Sequence, residues 1–139
     1  GRRCRHNLNY WQFGDYLALG AGAHGKVTDN GVVLRYDKAA NPRQYMQMME
    51  AGDHGANAVV PGEGDLLFEF MLNALRLEGG FAEALFEART GLDPGDLADA
   101  AAEALAGGLI RRSDSGTWQP SALGKRFLND LVATFLPAP

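Results

Sequence analysis

The stretch DLLFEFMLNALRLEGG, residues 65–80, sets the fold of the second half of the chain. Polar residues recur in it at spacings of three or four: Asp65, Glu69, Asn73 and Arg76. Nearly all the remaining positions are apolar, so the apolar surface is too wide for a helix that rests on one face of a domain. This pattern predicts the central buried helix of a domain, and Gly79-Gly80 should end that helix.

The residues that follow predict two more helices. We expect one over about residues 81–90, which Gly91 ends as a left-handed C-terminal residue. Asp93 is placed to cap the next helix, with Pro94 at its first position. That third helix should run to the glycine pair at residues 107–108.

A hairpin and a closing helix complete this half of the chain. Residues 109–112 and 117–119 flank a Ser-Asp-Ser-Gly turn, and Ser121 is placed to cap the last helix. Its buried stripe is expected at every fourth position: Leu123, Phe127, Leu131 and Phe135. Three helices, a hairpin and a closing helix predict a small winged-helix-like domain over residues 56–139.

Residues 1 to about 40 are rich in glycine and aromatic residues and are typical of strands and loops. The apolar run at residues 16–19 predicts a buried strand. Asn30-Gly31 between apolar segments predicts a β-hairpin, because both turn residues tolerate a positive φ. Asn41 should cap a short helix over about residues 42–51, and the glycines of residues 52–64 predict a linker.

Composition excludes several functional classes. The 139 residues carry a net charge of −4 and a pI near 5.3, which disfavours nucleic acid as the main partner. The sequence contains neither a membrane-spanning apolar stretch nor a signal core, so we expect a cytoplasmic location. The single cysteine, Cys4, cannot form an internal disulfide or a metal site by itself. Gly1 in place of an initiator methionine is expected of a segment cut from a longer protein.

Two motifs could carry chemistry. The run GAGAHG, residues 20–25, fits the spacing of a dinucleotide fingerprint, but a hairpin follows it where that fingerprint needs a helix. Its small residues would instead let the backbone approach a ligand or a neighbouring strand closely. The run HNLNYW, residues 6–11, combines an imidazole that can ligate haem iron with aromatic rings that can stack on a macrocycle. A purely structural role for His6 and His24 stays open.

Several runs of the sequence resemble the C-terminal part of the oxygen-independent coproporphyrinogen III oxidase family of radical-SAM proteins, and most closely its haem-chaperone branch. These runs are CRHNLNYW (4–11), GDYL (14–17), LGAGAH (19–24), FMLNALRL (70–77) and SALGKRFLND (121–130). The resemblance covers essentially the whole chain. It departs from the family pattern at Gly25, where we expect Ser, and at Ala18, where we expect Gly.

The resemblance implies an α+β fold in which the terminal strands of a radical-SAM partial barrel precede a small winged-helix-like domain. Residues 1–55 would be the end of that barrel, and the rest of the barrel would be a partner. The family binds a 4Fe–4S cluster and S-adenosyl-L-methionine through a CxxxCxxC motif. With one cysteine this chain lacks the motif, so we expect no independent catalysis.

The resemblance also assigns residues to sites. Three residues match an HNxxY motif linked to haem binding: His6, Asn7 and Tyr10. Four match the segment that lines the S-adenosyl-L-methionine site: Gly20, Gly22, Ala23 and His24. Haem or a porphyrin would then be the ligand.

Three functional hypotheses follow. The chain is part of a haem chaperone, part of a true coproporphyrinogen III oxidase, or a free-standing winged-helix interaction module. The HNxxY motif favours the first. The third helix carries Asp96, Asp99 and Glu103 without a Lys or Arg, which argues against a DNA-reading module despite Arg111-Arg112 in the wing. Unpaired strand edges in residues 1–40 would allow self-association.

Overall fold

The computed structural model describes residues 5–53 and 57–138. They form a mixed α+β chain, as predicted, whose elements run in the order α1 (Arg5–Trp11), β1 (His24–Asp29), β2 (Val32–Asp37), α2 (Pro42–Glu50), β3 (Asn57–Val59), α3 (Glu63–Ala74), β4 (Phe81–Ala82), α4 (Glu83–Thr90), α5 (Pro94–Ala100), α6 (Ala102–Ala106), β5 (Ile110–Arg112), β6 (Thr117–Pro120), α7 (Ala122–Arg126) and α8 (Leu128–Ala133).

The chain packs as two compact units. The helical unit comprises Gly1–Gly14 and Gly62–Pro139, and the hairpin unit comprises Asp15–Pro61. The division that we predicted after residue 55 therefore differs from the packing at the beginning of the chain, where α1 joins the helical unit. The aromatic side chain of Phe13, described below, is the reason.

Aromatic rings form the centre of the helical unit. The ring of Phe70 on α3 meets three other phenylalanine rings edge to face, at centroid distances of 5.7 Å to Phe13, 5.1 Å to Phe81 and 5.1 Å to Phe86. All four side chains are buried. We call these four residues the phenylalanine cluster. It confirms that α3 is the central buried helix, because each ring comes from a different segment of the unit.

The small sheet of the helical unit has the strand order β4-β6-β5, with both pairings antiparallel. It confirms the predicted hairpin at residues 109–119. The predicted helix ends also hold. Gly91 adopts the left-handed conformation with φ 73°, the Asp93 carboxylate accepts from the Gly95 N–H, and the Ser121 hydroxyl accepts from the Gly124 N–H.

The closing helix differs from its prediction. It is interrupted at Phe127, whose φ of −115° and ψ of 47° separate α7 from α8. The break rotates the two halves, so positions four apart no longer share one face. Leu131 and Phe135 are buried as predicted, whereas Leu123 and Phe127 are 47% and 44% exposed. The third helix is likewise divided, at Ala101, into α5 and α6.

The hairpin unit holds the antiparallel sheet β1-β2-β3. Asn30 and Gly31 take the turn with φ of 48° and 81°, which confirms the predicted hairpin. The Asn41 side chain caps α2, also as predicted. Two predictions were wrong here: β3 lies in the expected linker, and residues 16–19 form no strand.

Physical reasons account for the failed predictions. Only Tyr16 of the run 16–19 pairs with a strand, through a bridge to Lys26, and Leu17 and Leu19 are 72% and 84% exposed. Apolar composition alone therefore overestimated burial. Residues 5–11, expected to be strand or loop, form α1, because the capping geometry described next stabilises a helix there.

Candidate functional site

Helix α1 carries the three residues that we assigned to haem. The imidazole of His6 and the phenol ring of Tyr10 lie one helical turn apart and meet edge to face, with centroids 4.8 Å apart and planes inclined by 85°. His6 is exposed and Tyr10 is half-buried. Asn7 is also exposed, and its position places it about 100° around the helix from His6. The structure therefore brings His6 and Tyr10 together and directs Asn7 elsewhere.

A Schellman motif ends α1 just beyond these residues. The Gly14 N–H donates to the Asn9 carbonyl at 2.7 Å, and the Phe13 N–H donates to the Tyr10 carbonyl at 2.9 Å. The left-handed position of this motif is usually glycine, but here it is Phe13, with φ 55°. A β-carbon on Gly14 would collide with the Asn9 side chain. The sequence NLNYWQFG therefore ends the helix at a defined residue.

Phe13 tolerates this conformation because of where its ring lies. A non-glycine residue in the left-handed region costs about 1–2 kcal/mol. The ring is 2% exposed in the phenylalanine cluster, and burying a phenylalanine side chain contributes about 1.5–3 kcal/mol. Burial therefore offsets the backbone cost, and Phe13 fixes the end of α1 to the core of the helical unit.

The glycine-rich segment forms a turn that leads into β1. Gly20 and Gly22 have φ of 94° and 70°. The Gly22 N–H donates to the Ala39 carbonyl, and the Ala23 carbonyl accepts from the Lys38 N–H, both at 2.9 Å. A strand follows where a dinucleotide fingerprint needs a helix, so that interpretation fails. His24 is exposed at the start of β1. Gly20, Gly22, Ala23 and His24 all lie within one five-residue segment of the hairpin unit. His6, Asn7 and Tyr10 belong to the helical unit.

The structure explains why Gly25 replaces the serine that the family pattern predicts. The ring of Tyr36, its cross-strand partner, covers Gly25 so closely that any β-carbon there would overlap it. The hydroxyl of Tyr36 accepts a hydrogen bond from the Ala18 N–H at 3.0 Å. Glycine at position 25 therefore lets Tyr36 lie flat across the sheet and reach Ala18.

An ion pair that the sequence did not reveal closes the outer edge of β1. The Lys26 ammonium, 1% exposed, donates to Asp15 at 2.9 Å. The same carboxylate accepts from the N–H and the hydroxyl of Thr28. Burial raises the pKa of Asp15, but the hydrogen bonds from Thr28 and Lys26 outweigh burial and hold that pKa below its ordinary value. The partners are too far apart in sequence for spacing to predict them.

A second unpredicted pair fixes the sheet of the helical unit. Arg112 donates to both carboxylate oxygens of Glu83, at 2.6 and 3.1 Å, and the buried Trp118 indole donates at 2.8 Å. The hydrogen bond from Arg112 has the largest effect on the pKa of Glu83. Together with the Trp118 bond it lowers the pKa of that carboxyl against the opposing effect of burial. Arg112, which the sequence placed in the wing, therefore has a structural role.

The described residues also bear on metals and membranes. Among residues 5–53 and 57–138, no three His, Cys, Asp or Glu side chains lie close enough together to hold a metal ion. Cys4 and His54 lie outside the described residues. In the same ranges, no helix is both long and apolar enough to cross a membrane.

Comparison with known sequences identifies the helical unit. Residues 63–127 match the HemN C-terminal domain family. The segment belongs to that family. The HemN-type domain thus covers α3 through α7 together with the small sheet, and α1 lies outside the matched range.

Whole-chain comparisons agree with this assignment. The chain is 40% identical over 137 residues to the heme chaperone HemW of Escherichia coli and 38% identical over 138 residues to that of Haemophilus influenzae, in each case over 98% of this chain. A mouse protein, radical S-adenosyl methionine domain-containing protein 1, mitochondrial, is 30% identical. These results confirm the recognised family and its haem-chaperone branch. The chain spans about a third of the length of these relatives, at 35%, 34% and 33%.

A solved structure shares the fold. The coproporphyrinogen III oxidase HemN of Escherichia coli, described as a radical SAM enzyme, superposes with a TM-score of 0.56 over 88% of this chain and 28% of its own, at 16% identity. At that identity the likeness concerns the fold alone. It supports the α+β class and gives no residue roles.

Proposed function

We propose that this chain serves haem binding and delivery as part of a haem-chaperone-like radical-SAM protein, and that His6 is its haem contact. The observation that carries the proposal is the exposed His6 imidazole held edge to face by Tyr10 on α1. The chain's 40% identity to a heme chaperone over nearly its whole length supports it.

The chemistry of the pair fits haem as cargo. A neutral imidazole donates a nitrogen lone pair to haem iron, and the N–H of its other ring nitrogen donates a hydrogen bond that fixes the ring. Tyr10 limits the orientation of the His6 ring and offers an aromatic edge to a flat macrocycle. Because His6 is exposed, haem can approach without unfolding α1. Asn7, exposed on an adjacent face, would contact the porphyrin periphery.

A haem titration followed by the Soret band tests this proposal. We expect His6→Ala to weaken binding at least about tenfold and to change the spectrum, as loss of an axial ligand does. His24→Ala is the matched control, since His24 is an exposed histidine in the other unit. If His24→Ala weakens binding and His6→Ala does not, the glycine-rich turn is the site and the assignment to α1 is wrong.

The iron–sulfur cluster of the family does not fit this chain. Its only cysteine cannot replace the three thiolates of a CxxxCxxC motif. We therefore assign the cluster and S-adenosyl-L-methionine to the remaining length of the relatives. The turn formed by Gly20, Gly22, Ala23 and His24 would line the S-adenosyl-L-methionine site. The open space around Gly20, where a β-carbon would meet nothing within 4 Å, supports that role.

The exposed leucines of the hairpin unit support the barrel assignment. Leu17 and Leu19 are 72% and 84% exposed and lie beside the glycine-rich turn. In a partial barrel, neighbouring strands from the rest of the protein would cover them. The double substitution Leu17→Ser/Leu19→Ser should then leave the free energy of unfolding of this chain nearly unchanged. A large loss of stability would show that the leucines pack within the chain itself.

The element order supports a winged-helix-like helical unit. Helix α3, strand β4, the three helical segments α4, α5 and α6, and the hairpin β5-β6 follow one another, with β6 between the other two strands. Exposed acidic residues on α5 and α6, Asp96, Asp99 and Glu103, make a nucleic acid an unsuitable partner for it. The cytoplasmic location expected from the sequence is part of this proposal.

A true coproporphyrinogen III oxidase is the second candidate, supported by the shared HemN fold. The two candidates differ in what the whole protein does with a porphyrin. A chaperone binds haem and transfers it unchanged, whereas an oxidase decarboxylates coproporphyrinogen III. Product analysis of the full-length protein with both compounds distinguishes them.

A further inference from the structure

Helix α1 is too short to be stable by itself. It has seven residues, none of them buried. Isolated helices of fewer than about 12–15 residues are marginal in water even with favourable sequences. The face that carries His6 and Tyr10 must therefore be held in shape by something beyond the helix.

Phe13 is the point of attachment. It occupies the left-handed position of the Schellman motif that ends α1, and its ring is buried against Phe70. One residue thus joins the hydrogen bonds that end the helix to the phenylalanine cluster. Glycine would satisfy the backbone equally well, so the phenyl ring itself must serve another purpose.

We infer that Phe13 is a positioning residue for haem: it holds the His6–Tyr10 face of α1 in its binding-competent form without touching the ligand. This inference rests on the proposed haem site at His6. Apparent affinity falls in proportion to the population of the competent state. Removal of the Phe13 ring therefore weakens haem binding, although the haem contacts themselves remain.

The coupling also acts in the opposite direction. A ligand that binds only when α1 is packed on the helical unit also stabilises the contacts that hold α1 there. Haem binding should therefore slow hydrogen exchange at the three amides of the helix end that donate to Leu8, Tyr10 and Asn9, namely Gln12, Phe13 and Gly14. It should also slow exchange in α3, which carries Phe70.

The test compares haem affinity of the full chain with that of three variants at or near the cluster. Phe13→Gly keeps the left-handed turn and removes the ring, and we expect affinity to fall at least about tenfold, which corresponds to a docked population of about one tenth. Phe13→Leu keeps an apolar anchor and should bind within about threefold of the wild type. Phe86→Leu perturbs Phe70 from α4, lowers overall stability and should leave haem affinity within about twofold.

The controls separate the possible failures. If His6→Ala loses binding while Phe13→Gly binds like the wild type, the inference is overturned. If affinity falls equally in Phe13→Leu and Phe86→Leu, it follows global stability, and Phe13 has no positioning role. If His6→Ala binds haem normally, the haem site itself is wrong. Faster exchange at Gln12–Gly14 in Phe13→Gly would then still show that Phe13 holds α1, and unchanged exchange would refute it.

Discussion

The rings of His6 and Tyr10 lie one helical turn apart on α1 and meet edge to face. Their centroids are 4.8 Å apart and their planes are inclined by 85°. Such a pair restricts the imidazole without covering it, since His6 remains exposed. We therefore expect the proposed haem site to depend on the phenol ring of Tyr10 rather than on its hydroxyl.

Substitution of Tyr10 tests this point. Tyr10→Phe keeps the ring and should change haem affinity by less than about twofold. Tyr10→Ala removes an edge-to-face contact of about 0.5–1.5 kcal/mol and should weaken binding about two- to tenfold. Soret titrations of both variants measure the difference. A changed spectrum in Tyr10→Phe would instead indicate that the phenolate ligates the iron.

Serine at position 25, the residue that the family pattern predicts, should destabilise the sheet of the hairpin unit. Gly25→Ser forces the Tyr36 ring away, and such overpacking costs about 1–3 kcal/mol. The expected result is faster hydrogen exchange in the amides of β1 and β2. In a Tyr36→Val background the serine should cost much less, because the ring is absent. Equal costs in both backgrounds would contradict the steric explanation.

The Asp15–Lys26 pair predicts an asymmetry between its two partners. Asp15→Asn leaves the buried Lys26 ammonium without this carboxylate, and should destabilise the hairpin unit by at most about 3–5 kcal/mol, because solvent at the partly exposed Asp15 screens the pair. Lys26→Met replaces the ammonium with an apolar chain of similar length, so its cost should be smaller. Hydrogen exchange of β1 at neutral pH compares the two. A larger loss for Lys26→Met would show that the Asp15 carboxylate, rather than the ammonium, depends on the pair.

Glu83 predicts how acid affects the helical unit. Its pKa is lowered in the folded state, so its contribution to stability is complete above the ordinary glutamate pKa of 4.5. That contribution is lost as pH falls through the lower folded value. The difference in unfolding free energy between wild type and Glu83→Gln should therefore shrink below about pH 5. Urea unfolding followed by the fluorescence of Trp11 and Trp118 measures it. Arg112→Gln, which removes the largest cause of the lowered Glu83 pKa, should show the same loss of pH dependence as Glu83→Gln.

Local signals predicted the parts of the fold that local chemistry determines. Asn30-Gly31 set the hairpin, Asn41 and Asp93 capped their helices, and Gly91 ended α4. Each depends on backbone conformations or hydrogen bonds within a few residues, so one short stretch of sequence contains the cause.

Features that depend on distant partners escaped prediction. Helix α1 was expected to be a strand or loop, because its stability comes from Phe13 in a cluster built by α3, β4 and α4. The Glu83–Arg112 pair joins residues that only the sheet brings together. At the candidate site, residue types indicated His6 and Tyr10, but the contact between their rings depends on the helix that holds them one turn apart.

The contact between Phe13 and Phe70 has a consequence for the order in which the protein is made. The whole segment Asp15–Pro61 lies between these residues in sequence, and closing so long a loop costs entropy that shorter connections avoid. Helix α1 leaves the ribosome before α3, β4 and α4, so it joins its core only after those three elements have been synthesised. A nascent chain exposes His6 and Tyr10 before it can hold them in place, so the proposed haem site can form only when translation has passed Phe86.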